Sequence, residues 1–186
     1  IILWNMAQFA TALVVLMPDV NEAISSFNKK IQKMNNKLIK SWERSFAAKI
    51  GISNPDFEDV KLIKELLSIM ASQKADFTNT FRFLGTAKAR EEFSEPIEFD
   101  KWEQKWSQRI KLEISPLEKM ANCNPSIIPR NHKIEEVIQS ALQQNYKPFE
   151  RLLAALTKPF RVSAQFEDFC RPPSKTEEIK ATFCGT

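Results

Sequence analysis

The chain has 186 residues, of which 43% are hydrophobic and 27% charged, an ordinary globular composition long enough for one domain with a real core, or one domain and a docked tail. Three glycines are too few for a loop-rich β protein or a glycine-rich phosphate cradle, and this favours helices. A net charge of +4 and a pI near 8.9 allow weak attraction to acidic partners without calling for nucleic acid.

Ile2, Leu3, Met6, Phe9, Ala10, Leu13, Val14 and Met17 are spaced by one, three and four, which predicts an apolar helix, almost all of it core, ended by Pro18. The run contains Asn5 and Gln8 and no basic leader, so it is neither a signal peptide nor a span, and the start reads as that of a chain cut from a longer protein. Asp19 is placed to cap the next helix. There Val20, Ile24, Phe27, Ile31, Met34, Leu38, Trp42 and Phe46 alternate fours and threes up to a stop at Gly51.

On the same helix Lys30, Lys33, Lys37, Lys40 and Arg44 form a second stripe, and Asn21 to Ile50 holds seven basic and two acidic residues. A solvated face explains this, and a surface for an acidic partner is the alternative. No aromatic residues interleave with the lysines, which argues against single-stranded nucleic acid.

After Asn54-Pro55, a helix is expected from about Asp59 to Gln73, and Asp76 is placed to cap a short one bearing Phe77, Phe81 and Phe83 and ending at Gly85. The polar stretch to Pro96 reads as a surface connection. Phe99, Trp102, Trp106 and Ile110 mark a helix begun by Glu98 or Asp100. Ser115-Pro116-Leu117-Glu118 opens another, with Pro at its first position and capping-box spacing.

The chain then reaches Asn124-Pro-Ser-Ile-Ile-Pro-Arg-Asn-His132. Pro125 and Pro129 lack an N–H and push Asn124 and Ile128 out of helix, so helix stops here. Ile127 and Ile128 are expected to be buried, which makes the segment an interhelical joint. Arg130, Asn131 and His132 give it a polar half, whose functional reading is an anion or partner site. Ile134, Val137, Ile138, Ala141 and Leu142 form one helix beyond it, and Phe149, Leu152, Leu153 and Leu156 a second between two Lys-Pro pairs, joined as an antiparallel hairpin. Residues 161–186, with Pro172-Pro173 and no periodicity, read as an extended tail anchored by Phe166, Phe169 and Phe183 on a helical domain of residues 1–160. The expected fold is therefore an all-α bundle.

Templates for catalysis are missing. There is no Gly-x-Gly-x-x-Gly, Walker loop, His-Glu-x-x-His or Gly-x-Ser-x-Gly, and a single histidine cannot build a multi-histidine metal site. Cys123, Cys170 and Cys184 are odd in number, without Cys-x-x-Cys spacing, so a reducing compartment is expected. Glu91, Glu92, Glu95, Glu98, Asp100 and Glu103 are densely acidic but sit in a hydrophilic connector. Trp4, Trp42, Trp102 and Trp106 each lie on an apolar helical stripe and read as core.

Taken together, the joint, Pro148-Phe-Glu-Arg-Leu-Leu153, Lys158-Pro-Phe160, Pro172-Pro173 and the final Phe183-Cys-Gly-Thr186 resemble the C-terminal region of selenoprotein O, the family of kinase-like protein adenylyltransferases. Leu3-Trp-Asn-Met-Ala-Gln-Phe-Ala10, the segment Trp42 to Gly51 and Ala75-Asp-Phe-Thr78 agree with the stretch that follows that family's metal-binding Asp and activation segment. The resemblance implies a protein-kinase-like fold and transfer of AMP from ATP to protein hydroxyl groups. It implies ATP and Mg for the full-length protein, bound by residues before the part matched, so that this chain alone has no nucleotide, metal or catalytic residues and is inactive. Its implied partners are its own N-terminal kinase-like catalytic region and the enzyme's protein substrates, with no nucleic acid and no membrane. The implied location is cytoplasmic in a bacterium, or mitochondrial in a eukaryote. Some members carry selenocysteine near the C-terminus, which makes Cys184 a redox candidate, while Cys123 and Cys170 are expected to pack. The competing reading is a free-standing helical module that docks an acidic partner through the Lys30 to Arg44 stripe.

Overall fold

The computed structural model describes residues 1–161 and 163–179, and among these every regular element is a helix. The chain divides into two compact units, Ile1–Phe46 and Ala47–Thr186.

In the first unit, α1 (Ile2–Val14) is followed by most of α2 (Val20–Lys49). Asp19 caps α2 as expected, its Oδ1 accepting from the Glu22 N–H at 2.9 Å. Trp42 and Phe46, one turn apart, bring their ring centroids to 4.7 Å. The prediction that α1 is core is not met, since it has no buried residue and Trp4 is 66% exposed. An apolar stripe records that a face avoids water, not that this chain supplies its cover.

The second unit begins with the end of α2, where Gly51 takes φ +84°. The Ile52 N–H reaches the Ala47 carbonyl at 2.8 Å and the Gly51 N–H that of Ala48 at 3.1 Å, a Schellman closure that requires a left-handed residue. α3 (Phe57–Gln73) starts two residues earlier than the sequence suggested, because Asp56 and Asp59 form a reciprocal capping box. α4 (Phe77–Phe83) follows, capped by Asp76. α5 (Ala87–Arg90) is a single turn in what read as a polar connection, and it buries Ala89.

α6 (Ile97–Ile110) packs on α3 and carries the main aromatic stack. Ring centroids step from Phe93 to Phe99 at 4.3 Å, then to Trp102 and Trp106 at 5.8 Å each. Both indoles are buried with their N–H satisfied at 2.8 Å, Trp102 by the Leu62 carbonyl and Trp106 by that of Ile50. Thus two of the four tryptophans are core.

α7 (Pro116–Cys123) opens with Pro116 as expected, but the Ser115/Glu118 box does not form. Ser115 sits at φ +48° and makes no side-chain cap bond. α8 (Asn131–Leu142) and α9 (Lys147–Leu156) pair as the predicted hairpin. A 3₁₀ segment, Ala164–Cys170, then packs against α9 where the sequence suggested extended chain, burying Phe169 and Cys170 with Ile127, Leu152 and Ala155. An isolated 3₁₀ turn is too short to show a period.

Candidate functional site

The joint between α7 and α8 is where the second unit concentrates its buried polar groups. Asn124 ends α7 in extended conformation. Its buried side chain donates from Nδ2 to the carbonyls of Lys49 at 2.8 Å and Phe81 at 3.2 Å, and its Oδ1 accepts from Lys49 Nζ at 3.3 Å. One amide therefore ties together the end of α2, the middle of α4 and the end of α7. Lys49 lies over the rings of Phe77 and Phe81 at 5.8 and 5.5 Å, and burial lowers its pKa.

Between the prolines, the Ser126 and Ile127 N–H groups both donate to the Pro159 carbonyl, at 2.7 and 3.1 Å, which pins the joint to the end of α9. Ile127 is fully buried in the cluster of Leu152, Phe169 and Cys170, while Ile128 is only half-buried and lines a small cavity with Lys49, Phe77 and Pro125.

Arg130 is buried. Its guanidinium grips Asp76 with two bonds of 2.7 and 3.0 Å and donates a third to the Cys170 carbonyl at 3.1 Å. Asp76 also accepts the Asn79 N–H at 2.8 Å to cap α4, so one carboxylate both starts a helix and neutralises the joint. Burial alone would raise the Asp76 pKa. The Arg130 and Asn79 hydrogen bonds and the Arg130 charge outweigh it and hold the group below the usual carboxylate range. Glu92 faces the same cluster, and burial pushes its carboxyl up.

Of the residues read from the sequence, Asn124, Pro125 and Arg130 thus come together at the joint. Pro129 and Asn131 are exposed at its surface, and Cys184 lies outside the described residues. Cys170 is buried and Cys123 half-buried, both as free thiols. Sequence reasoning saw Asp76 as a cap and missed its pairing with an arginine 54 positions away. It also missed Glu92 and Lys49 as members of the cluster.

Chemically, these groups bind one another. Among the described residues no three His, Cys, Asp or Glu side chains are placed to hold a metal ion, and no helix is long and apolar enough to cross a membrane.

Comparison with known proteins gives a consistent result. The family model for protein adenylyltransferase SelO matches residues 1–157, a span that includes the joint. A protein nucleotidyltransferase YdiU of Ruegeria sp. is 44% identical over 186 residues, covering 100% of this chain and 39% of that protein. The protein of the same name from Ruegeria pomeroyi is 42% identical over the same shares, and one from Bacillus cereus is 38% identical over 98% of this chain and 39% of its own length. The chain spans about two fifths of the length of these curated relatives.

Proposed function

Since the chain belongs to the protein adenylyltransferase SelO family, we propose that it is the C-terminal helical portion of an enzyme that transfers AMP from ATP to hydroxyl side chains of proteins. Its role in that enzyme is to brace a kinase-like catalytic region, which binds the nucleotide and its magnesium through residues outside this chain. The observation that carries the reading is the joint. Asn124 directs its amide, and Arg130 both of its terminal nitrogens, to backbone carbonyls and to Asp76, fixing helices to one another, while Arg130 Nε has no partner among the described residues. The exposed apolar residues Ile2, Met6 and Phe9 share one face of α1, on which the catalytic region would rest.

Two measurements test this. Isothermal calorimetry on the chain alone is expected to show no Mg-dependent ATP binding, whereas the longer protein transfers label from α-labelled ATP to protein. Micromolar, magnesium-dependent binding by this chain would overturn the bracing role, and absence of transfer by the longer protein would overturn the activity. On the resemblance alone, Cys184 is proposed as a thiol that forms a regulatory disulfide in the longer protein.

One observation favours a second reading. Lys30, Lys33, Lys37, Lys40 and Arg44 are all exposed, and none makes an ion pair among the described residues. Salt-sensitive binding of an acidic peptide, lost on changing Lys33 and Lys37 to Gln, would support a docking surface for an acidic partner.

A further inference from the structure

His132, the single histidine of the sequence, stands in the first turn of α8 and is 4% exposed. Neither ring nitrogen has a hydrogen-bond partner among the described residues, and both are shielded from solvent. Beside the ring is a cavity of about 400 Å³, walled on one side by Ile128–His132 and on the other by Pro173, Glu177, Glu178 and Ile179.

The segment that forms the far wall is held by its own contacts. Arg171 grips Glu177 with two bonds of 2.7 and 2.6 Å, and the Ser174 N–H donates to Glu177 at 2.8 Å. We infer that residues 171–179 form a strap over His132 that is released when the imidazole takes up a proton.

A neutral imidazole buried without partners forgoes two hydrogen bonds. An imidazolium there would carry two N–H donors and a full charge with no acceptor, which costs considerably more. The charged groups around the ring do not relieve that cost. On α8, Lys133 adds like charge, and its neighbour Glu136 is engaged by Lys133 in two bonds of 2.9 Å. On the strap, Arg171 adds like charge, and Glu177 is already committed to Arg171 and Ser174. Glu178 lines the cavity without an ion pair among the described residues. On the joint, Arg130 is committed to Asp76.

The balance lowers the pKa of His132, with burial as the largest cause, then the charges of Lys133 and, more weakly, Arg171, opposed by Glu177 and Glu136. Glu177 is held far below the usual carboxylate range by Arg171 and Ser174, so the strap's own ion pair does not titrate in the same window. The sign follows. A depressed histidine pKa means that the open strap binds the proton more readily than the closed one, so closure is complete above a pH of about 6.5 and weakens as the pH falls below it. The further the closed strap lowers the pKa of the ring, the larger the shift toward the open strap once titration is complete.

Because the sequence has one histidine, a proton NMR titration of the intact chain reads this imidazole without ambiguity. The expected pKa lies below about 6.5, and trypsin cleavage after Lys175, normalised to a free peptide of residues 170–179, rises as the pH is lowered below about 6.5. His132→Phe, which keeps an aromatic ring but cannot titrate, is expected to show a flat profile. A measured pKa at or above about 6.5 would mean that the closed strap holds an imidazolium, for instance against Glu178, and would overturn the inference without any variant. An equal rise in cleavage in His132→Phe would overturn it as well.

Discussion

Asp76 is the residue on which the joint's electrostatics turn, and its replacement by Asn separates two roles that Ala would remove together. Asn is as good an N-cap as Asp, so the start of α4 keeps its hydrogen bond from the Asn79 N–H. What is lost is the charge that faces Arg130, whose side chain is 7% exposed against 17% for Asp76. Removing one partner of a buried pair leaves the other charge uncompensated, and this costs about 3 to 5 kcal/mol. The third Arg130 bond, to the Cys170 carbonyl, survives and places the expected loss for Asp76→Asn near the lower end, about 3 kcal/mol. Asp76→Ala adds the cap, about 1 kcal/mol more. Urea unfolding followed by far-UV circular dichroism reads both values, and a double-mutant cycle with Arg130→Met isolates the pair. A pH series adds an independent check. The folded pKa of Asp76 is depressed, so its contribution is full above the unfolded value of about 3.9 and is lost as pH falls through the folded one. A loss below about 1 kcal/mol for Asp76→Asn, or a cycle energy below about 0.5 kcal/mol, would show that the pair is solvated and the account of the joint mistaken.

Other perturbations bear on the same architecture. Ile127→Ala empties a fully buried site against Leu152 and Phe169 and is expected to cost about 2 to 5 kcal/mol by urea titration, whereas the half-buried Ile128 loses less when shortened. Gly51→Ala is expected to lower stability by at least about 1 kcal/mol in the same assay, because the new Cβ at φ +84° would stand 2.9 Å from Pro116 Cβ. Lys33 and Lys37 changed together to Gln are expected to change the unfolding free energy, read by urea titration, by no more than an ordinary surface substitution, about 0.5 kcal/mol. In the longer protein, Cys184→Ser is expected to abolish the response of AMP transfer to reductant. An unchanged response, with Cys184 unpaired in disulfide mapping, refutes the redox role.

The sequence made local features readable and left distant ones hidden. Asp19, Gly51, Asp76 and Pro116 each act within a few residues of the chain, and the structure gives them the capping and terminating roles that their side chains and spacing suggest. Ser115 and Glu118 have the same kind of spacing and fail, because a capping box also needs an extended backbone at its first residue, and Ser115 is left-handed. α5 escaped notice because four residues make one turn, and one turn has no period to detect. Arg130 and Asp76 stand far apart in sequence, and no rule of local spacing connects them. Their pairing follows only once α4 and the joint have packed.

α1 shows the converse limit. Its stripe was read correctly as apolar and wrongly as buried, since periodicity states which face must avoid water and is silent about what meets it. The same silence separates the joint from α1 in functional terms. At the joint, every apolar or polar demand raised by Asn124, Ile127 and Asp76 is met by a named partner within the second unit, so stability measured on this chain tests it directly. On α1 the demand of Ile2, Met6 and Phe9 is unmet, so the bracing role turns on whether the longer protein covers that face. Hydroxyl-radical footprinting of Met6 and Phe9 in this chain and in the longer protein would decide it, and equal labelling of both residues in the two proteins would remove that face of α1 from the interface.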